Sequence, residues 1–255
     1  YIKYNPVFLI GFSRSGTTLL DTIFKSHSNI EILEEKPIVK KLNQSFLKIS
    51  NNRLEYLNTI NIEDLNKLRN IYFEEINKYI KKNSKNKIII DKLPLNIIEI
   101  GIIQRIFPES KFILTLRHPC DCVLSCFMNR FKINEANINF CNLYDTARLY
   151  SETMNLWIQY ITELPIKFKT IKYENIIKDL EKNIKPLLTF LGLNWDKSML
   201  EFNKNAQKRS MINTPSYNQV IKPIYNNANG RWKKYKEEMN DIYPILKPWI
   251  KKFNY

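Results

Sequence analysis

The sequence is poor in histidine and has no paired cysteines. Its two histidines are His27 and His118, and its four cysteines, Cys120, Cys122, Cys126 and Cys141, contain no C-x-x-C pair. Metal-ligand spacing is absent, so no zinc site or other metal is expected, and both histidines are read as structural or hydrogen-bonded residues. Three of the cysteines fall at the start of one predicted helix, where adjacent turns rarely permit a disulfide. They read as reduced, mostly buried thiols, which points to a cytoplasmic location. No apolar run approaches the ~18 residues of a spanning helix. Nothing resembles a signal peptide, although Tyr1 in place of Met leaves room for an upstream anchor, targeting segment or domain. Glycine is scarce as well, at 5 residues in 255, yet Gly11 and Gly16 fall within one short turn.

Of the residues present, 44% are hydrophobic, which suits a single domain over 1–255 with an ample core. Lys and Arg number 40 against 25 acids, a net charge of +15, and favour anionic ligands, acidic substrates or nucleic acid. Part of that charge lies in polar loops such as Lys81 to Lys87, KKNSKNK, and reads as solvated surface. Aromatic residues are not interleaved with the Lys runs as they are in base-stacking platforms. A nucleic-acid or polyanion-binding module therefore ranks last, and no nucleic-acid partner is expected.

Apolar runs and helical patterns alternate along the chain. Strands are expected at Val7–Ile10, Asn29–Leu33, Lys87–Asp91, Lys111–Leu116 and Phe168–Tyr173, the last as a fifth inner strand. Helices are expected after Gly16, at Ile38–Ile49, Ile62–Lys82 and Asn96–Ile106, from Pro119 to about Arg130, and at Leu143–Leu164. A last helix starts near Pro244, with Pro248 expected to shorten or kink it. Strands alternating with helices predict an α/β fold, a three-layer αβα arrangement with a mostly parallel central sheet whose ligands lie at the carboxyl ends of the strands. Residues 203–232 are poor in periodicity and long enough to be a functional loop or lid.

The most informative stretch is Val7 to Leu20, VFLIGFSRSGTTLL, a strand, a turn bracketed by glycines, and a helix start. Free N–H groups at such a helix start, aided by the dipole, bind phosphate. Its G-x-x-x-x-G-T-T matches the nucleotide-binding P-loop in its glycines but has Thr17 where that motif needs lysine. The nearby cation is Arg14, inside the loop, so a ligand without a γ-phosphate and its Mg²⁺ is expected. A P-loop kinase or NTPase shares this start and stays as a competing class. Thr17 and the lack of an evident strand-end Asp pair count against it. The bland alternative is a strand-turn-helix with incidental glycines.

Arg14-Ser15-Gly16-Thr17-Thr18 resembles the phosphosulfate-binding loop of sulfotransferases that use 3′-phosphoadenosine 5′-phosphosulfate, PAPS. Arg117 at a strand end, with Ser125 eight residues on in the following helix, resembles that family's 3′-phosphate motif. Tyr173-Glu174, then Ser216, Gln219, Lys222 and Arg231-Trp232, resemble the carboxyl-terminal cofactor clamp of tyrosylprotein sulfotransferases in particular. The resemblance implies PAPS as donor, adenosine 3′,5′-bisphosphate as product, and a sulfuryl group moved to an acceptor hydroxyl or phenol. It places the catalytic glutamate on Glu34, the strand-end lysine on Lys92 and the transition-state serine on Ser216, with Arg14 as a further cation.

Those roles suit the residue types. A carboxylate near the acceptor removes its proton, and fixed cations stabilise charge growing on a phosphate leaving group. Simpler readings stand beside them: Glu34 and Glu35 as N-terminal acids of the next helix, Lys92 as a surface cation, and Trp232 as core packing in place of an adenine stack. Three departures are visible. An arginine of tyrosylprotein enzymes falls on Asn129, with Arg130 beside it; a lysine before the late tryptophan is Arg231; and Ile32 and Asp91 stand where the secreted enzymes have a disulfide. The acceptor expected from +15 is acidic, such as a tyrosine peptide, while a small phenol, a lipid headgroup or a saccharide stays open. A homodimer is compatible with the sequence.

Overall fold

Strand β1, Val7–Gly11, is buried along its whole length, as its unbroken apolar run requires of a central strand. It sits in the middle of a five-stranded sheet of order β2-β3-β1-β4-β5, with β2 at Ile30–Glu34, β3 at Ile88–Lys92, β4 at Lys111–Leu116 and β5 at Lys167–Lys172. Every pairing is parallel. The computed structural model describes residues 5–80, 87–207 and 229–255, so Ser216, Gln219, Lys222 and most of the expected lid lie outside the described residues.

The helices follow in chain order: α1 Thr17–Phe24, α2 Ile38–Ile49, α3 Tyr56–Thr59, α4 Ile62–Asn77, α5 Ile100–Ile106, α6 Pro119–Phe127, α7 Leu143–Glu163, α8 Tyr173–Lys178, α9 Leu180–Leu191, α10 Phe202–Gln207 and α11 Tyr243–Lys252. They cover both faces of the sheet, which makes the three-layer α/β arrangement. The alternation of side chains along a strand divides the core in two. Phe8, Ile10, Phe112 and Leu114 face α2, α4, α5, α6, α7 and α11, whereas Val7, Leu9, Ile90 and Ile113 face α1 and α9. Among the described residues no helix is long and apolar enough to cross a membrane.

Some expectations need correction. The segment expected to start helical at Asn96 begins as a 3-10 turn at Pro94–Glu99, because Pro94 ends the strand and opens a tight turn before α5. Helix α4 stops at Asn77 and α6 at Phe127, short of Lys82 and Arg130. Pro248 does not end α11, which runs on to Lys252. Strand β5 is an edge strand rather than an inner one, and Lys167 to Thr170 are exposed along it. Its alternation of Lys with apolar residues fits a half-exposed edge. The cysteines are all free, with Cys120, Cys122 and Cys126 buried and Cys141 exposed.

Asp91 is a buried acid near the end of β3. Asp91 points among the residues of the first core face, where the Tyr72 hydroxyl donates to its Oδ2 at 3.4 Å. Burial raises its carboxyl from 3.8 to about 7, with the Tyr72 bond pulling the other way. The folded chain thus keeps a proton that the unfolded chain gives up from about pH 4, and stability falls as pH rises toward 7 and levels off above it. Asp91→Asn removes that dependence. Its melting temperature, relative to the natural chain, is expected to gain more at pH 8 than at pH 4.5, and an equal difference at both pH values would contradict this account.

Candidate active site

The loop 12–16 leaves β1 at the carboxyl end of the sheet, at the point where the strand order reverses. The chain goes from β1 toward β2 on one side and returns to β4 on the other, which opens a crevice there. Gly16 is the N-cap of α1 in a left-handed conformation, φ 101°, with no side-chain cap and no acid in the first turn. The amides that open α1 thus have no side-chain cap, and uncapped amides of this kind are suited to an anion. A Cβ on Gly16 would come within 2.8 Å of the Tyr173 ring, so the loop needs glycine on steric grounds too.

The loop is locked to the segment after β4. Arg14, itself at φ 68°, donates from Nε to Ser125 Oγ at 3.0 Å, and Arg117 donates from Nη1 to the Arg14 carbonyl at 3.2 Å. The Cys126 thiol bonds the Ser13 carbonyl at 3.3 Å. The Arg117 guanidinium lies 5.1 Å from the centre of the Tyr173 ring. The structure thus brings Arg14, Ser125, Arg117 and Tyr173 together. Thr17 and Thr18 are buried in the first turn of α1. The Ser15 hydroxyl is turned inward onto Thr115 Oγ1 of β4 at 2.7 Å, and its amide closes a turn onto the Phe12 carbonyl at 3.2 Å. Asn129 bonds Ser125 through its side-chain amide, and Arg130 is exposed beyond the end of α6.

A second constellation stands on the other side of β1. Glu34 and Lys92 are register partners at the ends of β2 and β3. The Lys92 ammonium is fully buried and lies 2.8 Å from Glu35 Oε1, 3.1 Å from Asp21 Oδ2 and 3.7 Å from Glu34 Oε1. Lys25 pairs with the other Glu34 oxygen at 2.6 Å. Burial pulls the Lys92 ammonium down, but Asp21, Glu35 and Glu34 outweigh it and hold it above its ordinary range. Burial in turn raises the Asp21 carboxyl, opposed by Lys92 and Lys25. Glu35 takes a left-handed backbone, φ 50°, and its amide bonds the Lys92 carbonyl at 2.7 Å, so the strained residue is held at both ends.

Asp21, Lys25 and Asp121 escaped the sequence reading. The signal for Asp21 was an acid inside the apolar helix TTLLDTIF. Asp121 sits in the first turn of α6 and accepts from the amides of Gly230 and Trp232. Trp232 stacks on His118 at 5.0 Å and 19° and on Tyr243 at 6.2 Å, so its ring serves packing. Arg231 is exposed on that corner. Burial pushes the His118 imidazole below its ordinary range against the pull of Asp121, and Glu174 joins the His118 amide to the Tyr255 hydroxyl.

Residues 6–197 match the sequence profile described as the sulfotransferase family. Over 252 residues the chain is 27% identical to an uncharacterized protein of Aquifex aeolicus (strain VF5), covering 97% of this chain and 33% of that protein. It is 24% identical over 242 residues to protein-tyrosine sulfotransferase 1 of Danio rerio, covering 91% of this chain and 67% of that one. With the human protein-tyrosine sulfotransferase 1 it shares 23% over 274 residues, covering 100% and 71%. Among solved structures, the sulfotransferase domain from the Synechococcus PCC 7002 olefin synthase matches with a TM-score of 0.63 at 18% identity, over 91% of this chain and 89% of that one. Mouse sulfotransferase SULT7A1 complexed with PAP matches with a TM-score of 0.54 at 17% identity, over 96% and 84%. At such identities the structural likeness bears on the fold.

The buried ammonium gives a stability test. Removing one partner of a buried ion pair leaves a charge uncompensated and costs about 3–5 kcal/mol. Lys92→Met should lower unfolding free energy in urea by that order, and adding Asp21→Asn should recover part of the loss. No loss, or no recovery, would show that the cluster is not coupled.

Proposed function

The chain belongs to the sulfotransferase family, and from that premise we propose that it moves a sulfuryl group from PAPS to an acceptor hydroxyl, with adenosine 3′,5′-bisphosphate as product. The observation that carries the reading is the joining of Arg14, Ser125 and Arg117 at the mouth of the crevice beside the uncapped start of α1. These donors fit a nucleotide with phosphate at both ends. The amides of α1 with Arg14, Ser15, Gly16, Thr17 and Thr18 hold the 5′ end, and Arg117 and Ser125 read the 3′-phosphate. Tyr173 backs the loop through its contacts with Gly16 and Arg117, and Arg231, Ser216, Gln219 and Lys222 complete the clamp.

In the reaction the acceptor oxygen bonds to sulfur as the bridging S–O bond to phosphate breaks. Glu34 takes the acceptor proton, and Arg14 and Lys92 face the charge that grows on the phosphate. Glu34 suits the part because it closes β2 at the carboxyl end of the sheet, register partner of Lys92, with Lys25 and Lys92 fixing its orientation. Glu35 has another duty, which is to anchor Lys92. For the acceptor we propose the phenol of a tyrosine in an acidic peptide, supported by the net charge of +15 and by the similarity to protein-tyrosine sulfotransferases.

Adenosine 3′,5′-bisphosphate should raise the melting temperature well beyond what AMP does, and Arg117→Ala should erase the difference, because only a ligand held by the native state stabilises it. Equal shifts with the two nucleotides would refute the donor assignment. Glu34→Gln should keep bisphosphate binding and lower turnover by roughly 10²–10⁴, whereas Glu35→Gln should be milder in turnover. Radiolabelled PAPS offered with acidic tyrosine peptides, their Phe counterparts, phenols and oligosaccharides should label the tyrosine peptides, with labelling that weakens with salt. Label confined to sugars would overturn the acceptor proposal alone.

A further inference from the structure

The acid beside the 3′-phosphate side of the crevice is unexpected. Asp121 is buried, in the first turn of the helix that carries Ser125 and follows Arg117, where a negative charge opposes the binding of an anion. Its position in the first turn of α6 offsets part of its desolvation. The rest comes from the carboxyl-terminal part of the chain. Gly230 N donates to Oδ2 at 2.7 Å and Trp232 N to Oδ1 at 3.0 Å, so both carboxylate oxygens are used by amides that flank Arg231.

Gly230 is left-handed at φ 69°, and a 3-10 turn starts at Arg231, closed by Lys233 N on the Gly230 carbonyl at 3.1 Å. A left-handed residue followed by right-handed ones turns successive amides inward, making a concave anion nest. Asp121 is the anion in this nest. The stacking of Trp232 on His118, the residue next to Arg117, pins the same corner from its other side.

We propose that Asp121 is a positioning residue for donor recognition: by occupying the nest at Gly230–Trp232 it fixes the corner from which Arg231 reaches the 3′-phosphate held by Arg117 and Ser125. The inference rests on the PAPS reading above. The charge is thus consumed by the two amides, and what the ligand meets is the arginine that they carry. Asp121 touches no reacting atom and acts on donor affinity rather than on the chemical step.

The test compares adenosine 3′,5′-bisphosphate with AMP by calorimetry on the natural chain, Asp121→Asn, Asp121→Ala, Arg231→Ala and the Asp121→Ala/Arg231→Ala pair, with the melting temperature of each free protein as a folding control. Hydrogen bonds to a charged acceptor imply a loss of bisphosphate affinity on the order of 10-fold or more for Asp121→Ala, with AMP affinity little changed. Asp121→Asn keeps one acceptor oxygen and should fall between, which preserves the test if the Ala variant does not fold. In turnover assays the KM for PAPS should rise while kcat holds. The double variant should bind no more weakly than Arg231→Ala alone. Folded Asn and Ala variants that bind the bisphosphate as the natural chain does, or losses that add in full, would overturn this inference and leave the PAPS reading intact. A natural chain that does not prefer the bisphosphate to AMP would overturn both.

Discussion

An ammonium with no exposure to water holds the carboxyl end of β2 and β3 together. Lys92 draws Asp21 from α1, and Glu34 and Glu35 from the end of β2, onto one point. Desolvation offsets much of the attraction in such a cluster, so its main effect is on uniqueness of structure rather than on net stability. A slip of one residue between β2 and β3 would set Leu33 or Glu35 opposite Lys92 in place of Glu34 and would turn the side chains of β2 to the wrong faces. With Leu33 opposite, the ammonium would be buried against a hydrocarbon neighbour. Register, the strained turn at Glu35 and the orientation of Glu34 all follow from this one constraint.

Two halves of the crevice meet across β1, and they are built on different principles. On the β4 side Arg14, Ser125, Arg117 and the Ser13 carbonyl are linked by single hydrogen bonds between a loop and a helix, an arrangement that can exchange a protein partner for a phosphate oxygen. On the β2–β3 side the charges are shared among several partners inside the fold. Hydrogen-bonded donors thus stand on one side of β1 and a buried charge cluster on the other.

Much of this was legible in the chain. Apolar runs such as Val7–Ile10 gave away the buried parallel strands, and the polar residues just after them gave away the crevice, because a parallel sheet places all strand ends on one side. Less legible was anything that depends on which strands are neighbours. Phe168–Tyr173 has an inner strand's apolar residues, but strand order is a property of crossovers, and it places β5 at the edge. Asp21 was hidden because helical periodicity treats an acid among apolar residues as a defect, and its partner lies 71 residues away in sequence. The role of Asp121 depends on amides more than a hundred residues downstream, which carry no side-chain signature at all. Trp232 could be read as either stack or packing until His118 and Tyr243 were seen against it.

The exposed stretch of β5 has a bearing on how copies of this chain can meet. A parallel sheet ends in a row of backbone groups able to accept another strand, and such an edge is a route to unwanted assembly. Here Lys167 and Lys169 stand along the exposed length of that edge, while Lys172 is drawn onto the Asn254 carbonyl at its far end. Lys167 is paired with Glu109, so a second copy approaching strand to strand would meet chiefly the exposed Lys169 ammonium, set against its own kind. Growth of the sheet beyond β5 is thus opposed by charge, and of the two edges of the sheet, β2 and β5, the latter is guarded by lysine.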